Sequence, residues 1–474
     1  MTNIKQAPKK DVSTKIYVVS DLKKLTAKEF KKEERDYLGT KLKEDFSYTT
    51  INRYSELIYV VKSGKDLNFL NCEKMRQEGA KIAKDLNSNK IKEVLIIDRS
   101  AGESYSLSEG IALANYQFLK YFTDAKKKEN SLKTIFMDVP TLTAADLKHL
   151  SYKVEANLWA RDMVNEPLSF LTAEQFAKEF KSQGKKAGFK VTVFNKKKIE
   201  SLKMGGLLAV NKGSIDPPTF TIMEHKPAKA RNKQPLVLVG KGVVYDTGGL
   251  SLKPTASSMD IMKCDMGGAA AVAGAMYAIT KANLPVHVIA LVPATDNRPS
   301  GNAYAPGDVI RMMDGTRVEV LNTDAEGRMI LADALCYAKK YKPELVIDMA
   351  TLTGAAIRAI GSNGMVIMGN ADDKVFEQIE FAGHMTHERT VRFPFWDDYA
   401  DQIKSKIADI KNLGGANAGM ITAGKFLEHF TDHPYVHIDI AAPAWNDAAS
   451  GYLSHGGSGN GVRMMFEFVK NYKK

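Results

Sequence analysis

The spacing of apolar residues changes along this chain of 474 residues, and it predicts two α/β regions. In residues 1–150, short β-rich segments alternate with helical ones, which is typical of a largely parallel sheet. The predicted strands are 15–20, 56–61, 93–98 and 133–138, and the predicted helices are Met75–Asp85 and Leu107–Phe122. A further helix over 151–166, ended by Pro167, is expected to link this region to the next.

From Gln234 onward the apolar runs become almost continuous, which is typical of strands that are covered on both faces. These runs are 235–240, 286–293, 345–350, 364–369 and 436–441. The segment Gly267–Lys281 between them is rich in Gly and Ala and predicts a closely packed helix. The sequence therefore predicts an α/β fold of two domains, 1–150 and 151–474, each with a mainly parallel or mixed sheet flanked by helices.

Composition narrows the protein class. With 44% hydrophobic and 26% charged residues the chain is typical of folded globular proteins. No run of 18 apolar residues exists and the first residues lack an apolar signal core, so neither a transmembrane helix nor a secretory signal is expected. Three scattered cysteines, Cys72, Cys264 and Cys336, favour a reducing compartment. The predicted location is the cytoplasm.

The net charge is +12, and residues 1–150 contribute +7 of it through 28 basic against 21 acidic residues. A solubilising surface is the preferred interpretation, because Lys and Glu are mixed, as in residues 31–35. We find no motif of nucleic-acid recognition. A nucleic-acid-binding regulator that uses the basic N-terminal domain is kept as the alternative function.

The chemistry of the chain is concentrated in three acidic segments. Asp324 and Glu326 lie between a predicted short strand, 318–321, and a predicted helix, 329–338. In open α/β sheets such strand-to-helix turns form the crevice where ligands bind. The other two segments lie upstream and contribute Asp246 and Asp265.

Four carboxylates in glycine-rich loops predict a metal site. Hard oxygen ligands suit Mg and Mn, and Zn also accepts them. Because four acids exceed the needs of one ion, two ions that share carboxylates are plausible, as in two-metal hydrolases. Any one of these aspartates, taken alone, is better explained as a turn residue or a helix cap.

Three basic residues accompany the acids, and each has two interpretations. Lys241 and Lys253 are either salt-bridge partners or functional groups, since a neutral Lys ligates metals and a charged one stabilises an oxyanion. Arg328 either pairs with a neighbouring acid or holds an anion in a bidentate manner.

These motifs together resemble the leucyl aminopeptidase family of cytosolic di-metal aminopeptidases. Residues 322–329 match the signature octapeptide of that family, with Met329 where Leu is usual. The other matching motifs follow in the family's order: 240–242, 245–249, 252–254, 265–269, 299–308, 350–354, 407–412 and 439–441. The resemblance is strong over about residues 155–474 and weak over 1–150.

The resemblance implies a role for each matching residue. One exchangeable metal would be held by Asp246, Asp324 and Glu326, and a tighter one by Lys241, Asp246, Asp265 and Glu326. Lys253 would stabilise the tetrahedral intermediate, and Arg328 would hold a bicarbonate ion that serves as general base. The pocket for the first side chain would be lined by Met262 and Thr351, with Leu352 beside the bicarbonate.

The resemblance also implies an activity and an assembly. The expected enzyme is a leucyl aminopeptidase, a metallo-exopeptidase that hydrolyses the N-terminal residue of peptides, preferably a large apolar one such as Leu, through a two-metal-activated water. Its expected cofactors are two divalent ions per subunit, Zn or Mn. The expected assembly is a homohexamer, with a macro-like N-terminal domain involved in assembly and 151–474 forming the catalytic domain. The complete ligand set argues against a catalytically inactive scaffold.

Overall fold

In the computed structural model, which describes residues 2–9 and 11–473, the chain forms two compact units. The first comprises Met1–Leu158 together with Asp447–His455, and the second comprises Trp159–Asn446 together with Gly456–Lys474. Each unit contains a sheet flanked by helices, which confirms the predicted α/β class. The first unit extends beyond residue 150 into the linker helix, and it includes 447–455, a return of the chain that the sequence did not reveal.

The first unit is built on a six-stranded sheet with the order β1-β6-β5-β2-β4-β3, in which only the edge strand β3 is antiparallel to its neighbour. The strands are β1 Asn3–Gln6, β2 Thr14–Val19, β3 Ser47–Asn52, β4 Leu57–Lys62, β5 Glu93–Arg99 and β6 Thr134–Asp138. The helices that begin in this unit are α1 Lys32–Lys41, α2 Phe69–Ser88, α3 Ser104–Ala114, α4 Ala125–Lys128 and α5 Ala144–Asn165.

Alternation along the strands explains how this sheet is covered on both faces. In β2, Ile16 and Val18 pack into one apolar cluster, whereas Tyr17 and Val19 pack into another on the opposite face. The first cluster includes α2 and α3, which approach so closely that a Cβ at Gly110 would lie 2.2 Å from the Arg76 carbonyl oxygen. Small residues at such crossings allow two helices to pack backbone to backbone.

The four strands predicted in this unit are confirmed, both predicted helices have other bounds, and the strand β1 was not predicted. The helix α3 ends at Ala114 and not at Phe122, and the polar strand β3 was not predicted. The strand β3 lies at the sheet edge, where only one neighbour and one face are available, so its sequence carries a weak apolar signal. The predicted linker helix is the last part of α5, which begins earlier, at Ala144.

The second unit has a nine-stranded mixed sheet with the order β16-β15-β18-β14-β9-β11-β8-β7, and β10 also pairs with β11. The strands of all sheets in this unit are β7 Lys190–Phe194, β8 Thr219–His225, β9 Leu236–Gly240, β10 Gly242–Asp246, β11 Val288–Asn297, β12 Val309–Arg311, β13 Arg317–Glu319, β14 Leu345–Ala350, β15 Met365–Gly369, β16 Thr390–Arg392, β17 Ile410–Lys411, β18 Tyr435–Asp439, β19 Trp445–Asn446 and β20 Gly456–Gly457. Two smaller sheets contain β12, β13 and β17, and β19 with β20.

Helices flank this sheet. They are α6 Ala173–Ala187, α7 Lys196–Ser201, α8 Gly205–Asn211, α9 Gly267–Lys281, α10 Glu326–Ala338, α11 Gly354–Ile360, α12 Asp373–Thr386, α13 Gly419–Glu428 and α14 Val462–Asn471. A 3₁₀ helix, Met259–Met266, leads directly into α9. Within the described ranges, no helix combines the length and the apolar character needed to cross a membrane.

The centre of this sheet is parallel and completely buried. The strands β18, β14, β9 and β11 run side by side, and every residue of β9, β11 and β14 is buried. The helix α9 packs closely on β14, because a Cβ at Gly268 would lie only 2.0 Å from the Met349 carbonyl oxygen. The predictions of buried strands and of a closely packed Gly/Ala helix are therefore confirmed, and the carboxyl ends of these strands share one edge.

Candidate metal centre

The predicted acidic residues meet at this carboxyl edge. Asp246 is the last residue of β10, and Asp265 lies in the 3₁₀ helix just before α9. Glu326 is the first residue of α10, and Asp324 lies two positions earlier. Four carboxylates from three separate segments of the sequence are thus brought to one place by the ends of three elements.

Three of the acids form a compact buried group. Asp246, Asp265 and Glu326 each offer one carboxylate oxygen, and these three oxygens lie within 4.8 Å of one another. Asp324 lies on the more open side, where its side chain is 33% exposed. Lys253 joins the two parts, because its Nζ lies 2.9 Å from Asp246 Oδ2 and 2.5 Å from Asp324 Oδ1.

Lys241 lies on the inner side of the group. Its buried ammonium is 2.7 Å from Asp265 Oδ1 and 2.9 Å from Glu326 Oε1, and it donates to the Thr351 carbonyl oxygen at 2.9 Å. The side chain passes directly over the first turn of α10, where a Cβ at Gly327 would lie 2.4 Å from Lys241 Cε. Glycine at position 327 therefore makes the room that Lys241 needs.

Two carboxylate oxygens of the group have no hydrogen-bond partner among the described residues. They are Asp265 Oδ2 and Glu326 Oε2, and both are buried. Burying such an oxygen without a partner costs on the order of 1–3 kcal/mol or more. Carboxylate oxygens are the ligands preferred by hard divalent cations, so the donor set fits one or more such ions.

The charges of the site also fit the binding of divalent cations. Burial raises the pKa of Asp246 to about 7, and the negative charge of Glu326 adds to this effect. Burial also raises the pKa of Asp265 and of Asp324. The pKa of Glu326 is lowered, because the two lysines outweigh the effect of its burial. Four acids thus share two ammonium groups, and two negative charges are left to be neutralised by protons or by cations.

The same carboxylates hold both lysines in the charged form. Burial by itself would lower the pKa of Lys241, but Asp265 and Glu326 outweigh it and raise that pKa. The pKa of Lys253 is raised in the same way, chiefly by Asp246 against its burial.

A second layer of polar residues orients the acids, and the sequence analysis did not identify it. Asn297 ends β11 and donates from Nδ2 to Asp246 Oδ1 at 2.8 Å and to the Thr323 carbonyl oxygen at 3.0 Å. The Thr323 hydroxyl donates to the Gly248 carbonyl oxygen at 2.7 Å. The available signal was a run of polar residues, 295–297, at the end of a continuously buried strand.

Gly249 completes this layer. Its φ of +64° is in the left-handed region, and a Cβ there would lie 2.8 Å from Asn297 Oδ1. A side chain at position 249 would separate the loop that carries Asp246 from the loop that carries Asp324.

Arg328 is a buried cation, and not all of its guanidinium hydrogen-bond donors have a partner among the described residues. Its Nη1 donates to the Asn412 carbonyl oxygen at 2.9 Å, and its Nε has no hydrogen-bond partner in the described part of the chain. No carboxylate within that part forms an ion pair with it, and burial lowers its pKa to about 10. Of its two predicted interpretations, the pairing with a neighbouring acid is therefore not observed.

The three residues predicted to bind substrate lie around the same group of acids. Met262 is half-buried in the 3₁₀ helix, one turn before Asp265. Thr351 is buried, and its hydroxyl donates to the main-chain oxygen and to Oδ1 of Asp265, both at 2.9 Å. Leu352 is half-buried and donates its backbone N–H to Asp439 Oδ1 at 3.2 Å. Thr351 thus contacts the proposed ligands as well as flanking them.

Comparison with known proteins shows which family the chain is similar to. Residues 158–466 match the family described as "Cytosol aminopeptidase family, catalytic domain". The chain is 53% identical to a "Probable cytosol aminopeptidase" of Chloroherpeton thalassium over 316 residues, 66% of this chain and 61% of the relative. It is 46% identical to a protein of the same description from Chlorobium limicola over 378 residues, 77% of this chain and 74% of the relative. The matched regions cover only 61 and 62% of the first two relatives.

Two solved structures have the same overall fold. One is described as the bottromycin maturation enzyme BotP in complex with Mn, with a TM-score of 0.84 and 27% identity over 97% of this chain and 99% of that one. The other is a mutant of tomato leucine aminopeptidase, with a TM-score of 0.85 and 25% identity over 100% of this chain and 97% of that one. Both likenesses extend over nearly the whole chain.

Proposed function

The chain belongs to the cytosol aminopeptidase family, and from that premise we propose that it is a metal-dependent aminopeptidase that releases the N-terminal residue of peptides, with a preference for Leu and other large apolar residues. The observation that carries the proposal is the buried group of Asp246, Asp265 and Glu326, with its unpartnered oxygens and its excess of negative charge.

We propose that the acids hold two divalent ions. Asp246, Asp324 and Glu326 would hold one, and Lys241, Asp246, Asp265 and Glu326 would hold the other. When bound, such ions would supply an activated water and polarise the scissile carbonyl. The related BotP structure is a complex with Mn, which favours Mn, and Zn is the other candidate.

Lys241 would have to lose a proton to act as a ligand, because an ammonium group has no lone pair. In the structure the neighbouring acids stabilise its charged form. Metal loading should therefore release protons to the buffer, which is a property of sites whose ligands must be deprotonated.

Lys253 and Arg328 are the proposed catalytic residues. The Lys253 ammonium lies between Asp246 and Asp324 and is 15% exposed, so it can donate to the oxyanion of the tetrahedral intermediate. Arg328 would hold bicarbonate, the proposed general base, through the guanidinium donors that its single bond to Asn412 leaves available.

Met262 and Thr351 are proposed to line the pocket for the first side chain, with Leu352 beside the bicarbonate. The half-buried position of Met262 one turn before Asp265 and the contact of Thr351 with Asp265 support the pocket assignment. The peptide would bind with its free amino group toward the negative site. Assembly into a homohexamer stays a prediction, and light scattering of the purified protein would test it.

The first experiment is hydrolysis of leucine p-nitroanilide by the full chain, first stripped of metal and then supplied with Mn or Zn. We expect activity only after metal is added, and none on the N-acetylated substrate. Lys253→Ala should lower kcat while Mn still binds. If the metal-loaded protein cleaves no substrate with a free amino group, the proposed function is wrong.

The nucleic-acid alternative is less favoured. Many basic side chains of the first unit are paired with acids, for example Lys15 with Glu56 at 2.5 Å, Arg53 with Glu34 at 2.7 Å and Lys62 with Asp45 at 3.0 Å. Mixed charges of this kind do not form the basic face that phosphate binding requires.

A further inference from the structure

Asp439 is a fully buried acid outside the group of proposed ligands. It is the last residue of β18 and lies opposite Ala350, the last residue of β14. Its Oδ1 accepts from the backbone N–H of Leu352 at 3.2 Å and of Ala441 at 3.0 Å, and its Oδ2 accepts from the Thr353 hydroxyl at 2.7 Å. A single carboxylate thus holds the loop Thr351–Thr353, which leaves β14.

The same loop holds the inner side of the metal centre. The Thr351 hydroxyl shares its one proton between the main-chain oxygen and Oδ1 of Asp265, and the Thr351 carbonyl oxygen accepts from Lys241 Nζ at 2.9 Å. Each of these two proposed ligands therefore has one of its supports in this loop. The loop in turn is fixed on its other side by Asp439.

The charge of Asp439 is balanced by groups that face it. His437 lies two residues earlier on β18, and its Nδ1 is 2.8 Å from Asp348 Oδ1 on the neighbouring strand. Arg328 is the other nearby cation. Asp348, Asp439, His437 and Arg328 are all buried, and their charges cancel when the imidazole is protonated.

We propose that Asp439 is a positioning residue, which fixes the Thr351–Thr353 loop through two hydrogen bonds, from Leu352 N–H and the Thr353 hydroxyl, and thereby sets the geometry of Lys241 and Asp265 for metal binding. The inference rests on the proposed function only in taking these two residues as ligands. Outer partners of metal ligands affect metal affinity by about 10–100-fold when they are removed.

Two substitutions separate the hydrogen bonds from the charge. Asp439→Asn keeps an acceptor oxygen for the two N–H groups, and its amide can donate to the Thr353 hydroxyl, so the loop should stay in place. Asp439→Ala removes all three bonds. Asp333→Ala is the matched control, because Asp333 is also fully buried and accepts from two backbone N–H groups, those of Leu207 and Met313.

The experiment measures Mn²⁺ affinity by calorimetry and amide hydrogen exchange of the segment 350–354, both on the metal-stripped full chain. We expect Asp439→Ala to weaken Mn²⁺ binding at least about 10-fold and to accelerate exchange in this segment. Asp439→Asn should stay within about 3-fold of wild type. Asp333→Ala should destabilise the protein without either local effect.

Two results would overturn the inference: unchanged exchange in Asp439→Ala, or equal losses in Asp439→Asn and Asp439→Ala, which would assign the effect to charge. If Asp439→Ala does not fold, Thr353→Val against Thr353→Ser tests the 2.7 Å bond with the same two readouts; Thr353→Val also removes the helix-cap bond from Ala356 N–H, which Thr353→Ser keeps. If the wild type binds Mn²⁺ but cleaves no peptide, the proposed function is wrong. The role of Asp439 is then still decided by the Mn²⁺ affinities and the hydrogen exchange of its variants. A wild type that binds no Mn²⁺ overturns both.

Discussion

Each unit of the molecule buries a cluster of charged side chains, and the two clusters differ in their balance. In the first unit, Arg76 lies 2.6 Å from Glu109 and 3.4 Å from Glu73, and Lys153 lies 3.7 Å from Glu109. Each of these acids thus lies within 4 Å of a base, and each of these bases within 4 Å of an acid. In the second unit, four acids face Lys241 and Lys253. The comparison teaches that burial alone does not mark a functional site, whereas an uncompensated charge does.

The largest expected effect comes from removing one acid of each cluster by an acid-to-amide substitution. Glu109→Gln removes the acid nearest to Arg76 and an acid that faces Lys153, so it should cost about 3–5 kcal/mol of stability and leave Mn²⁺ affinity unchanged. Asp246→Asn reduces a negative excess, so the metal-free protein should keep its stability within about 1 kcal/mol while Mn²⁺ affinity falls at least about 100-fold. Urea unfolding and calorimetry measure the two quantities. Equal losses of stability would contradict the comparison.

A middle-sized effect is expected from Gly327→Ala, which tests how closely Lys241 is packed. Alanine favours helices by about 0.8–1.0 kcal/mol, but here its Cβ would lie 2.4 Å from Lys241 Cε. We expect the lysine to be displaced and Mn²⁺ affinity to fall about 10–100-fold. Gly39→Ala is the matched control in the first unit, because nothing lies within 4 Å of its Cβ position in α1. That variant should be more stable than wild type, as thermal unfolding would show.

The smallest expected effect concerns Asp333, a buried acid that forms no ion pair with any residue that the structure describes. Burial raises the pKa of Asp333 to about 7, although it accepts backbone hydrogen bonds. Between about pH 4 and 7 the folded protein keeps a proton that the unfolded chain has lost, so this residue makes stability fall as pH rises. Relative to wild type, Asp333→Asn should gain stability progressively as the pH rises from 4 to 7. A constant difference between the two proteins across that range would refute the assignment.

The sequence predicted the fold class and the buried strands because apolar periodicity is a local signal. It also singled out the acids, which the structure brings together, although their roles as ligands stay a prediction. The polar support was missed. Asn297 and Asp439 each end a buried strand and act on loops 26 and 87 residues away, and nothing local in the sequence indicates those partners. The end of α3 and the return of 447–455 were missed for the same reason, since tertiary contacts set them.

Because residues 447–455 belong to the first unit, they limit how the chain can be divided into two fragments. Tyr452 is buried in the apolar core of the first unit, and its hydroxyl donates to Glu73 Oε2 at 3.1 Å. A fragment that begins at Trp159 would carry this tyrosine without its surroundings, and a fragment that stops at Leu158 would have a hole where the ring belongs. The second unit is therefore not separable by one break in the gene. A working truncation needs a second edit, in which 447–455 are replaced by a short polar turn.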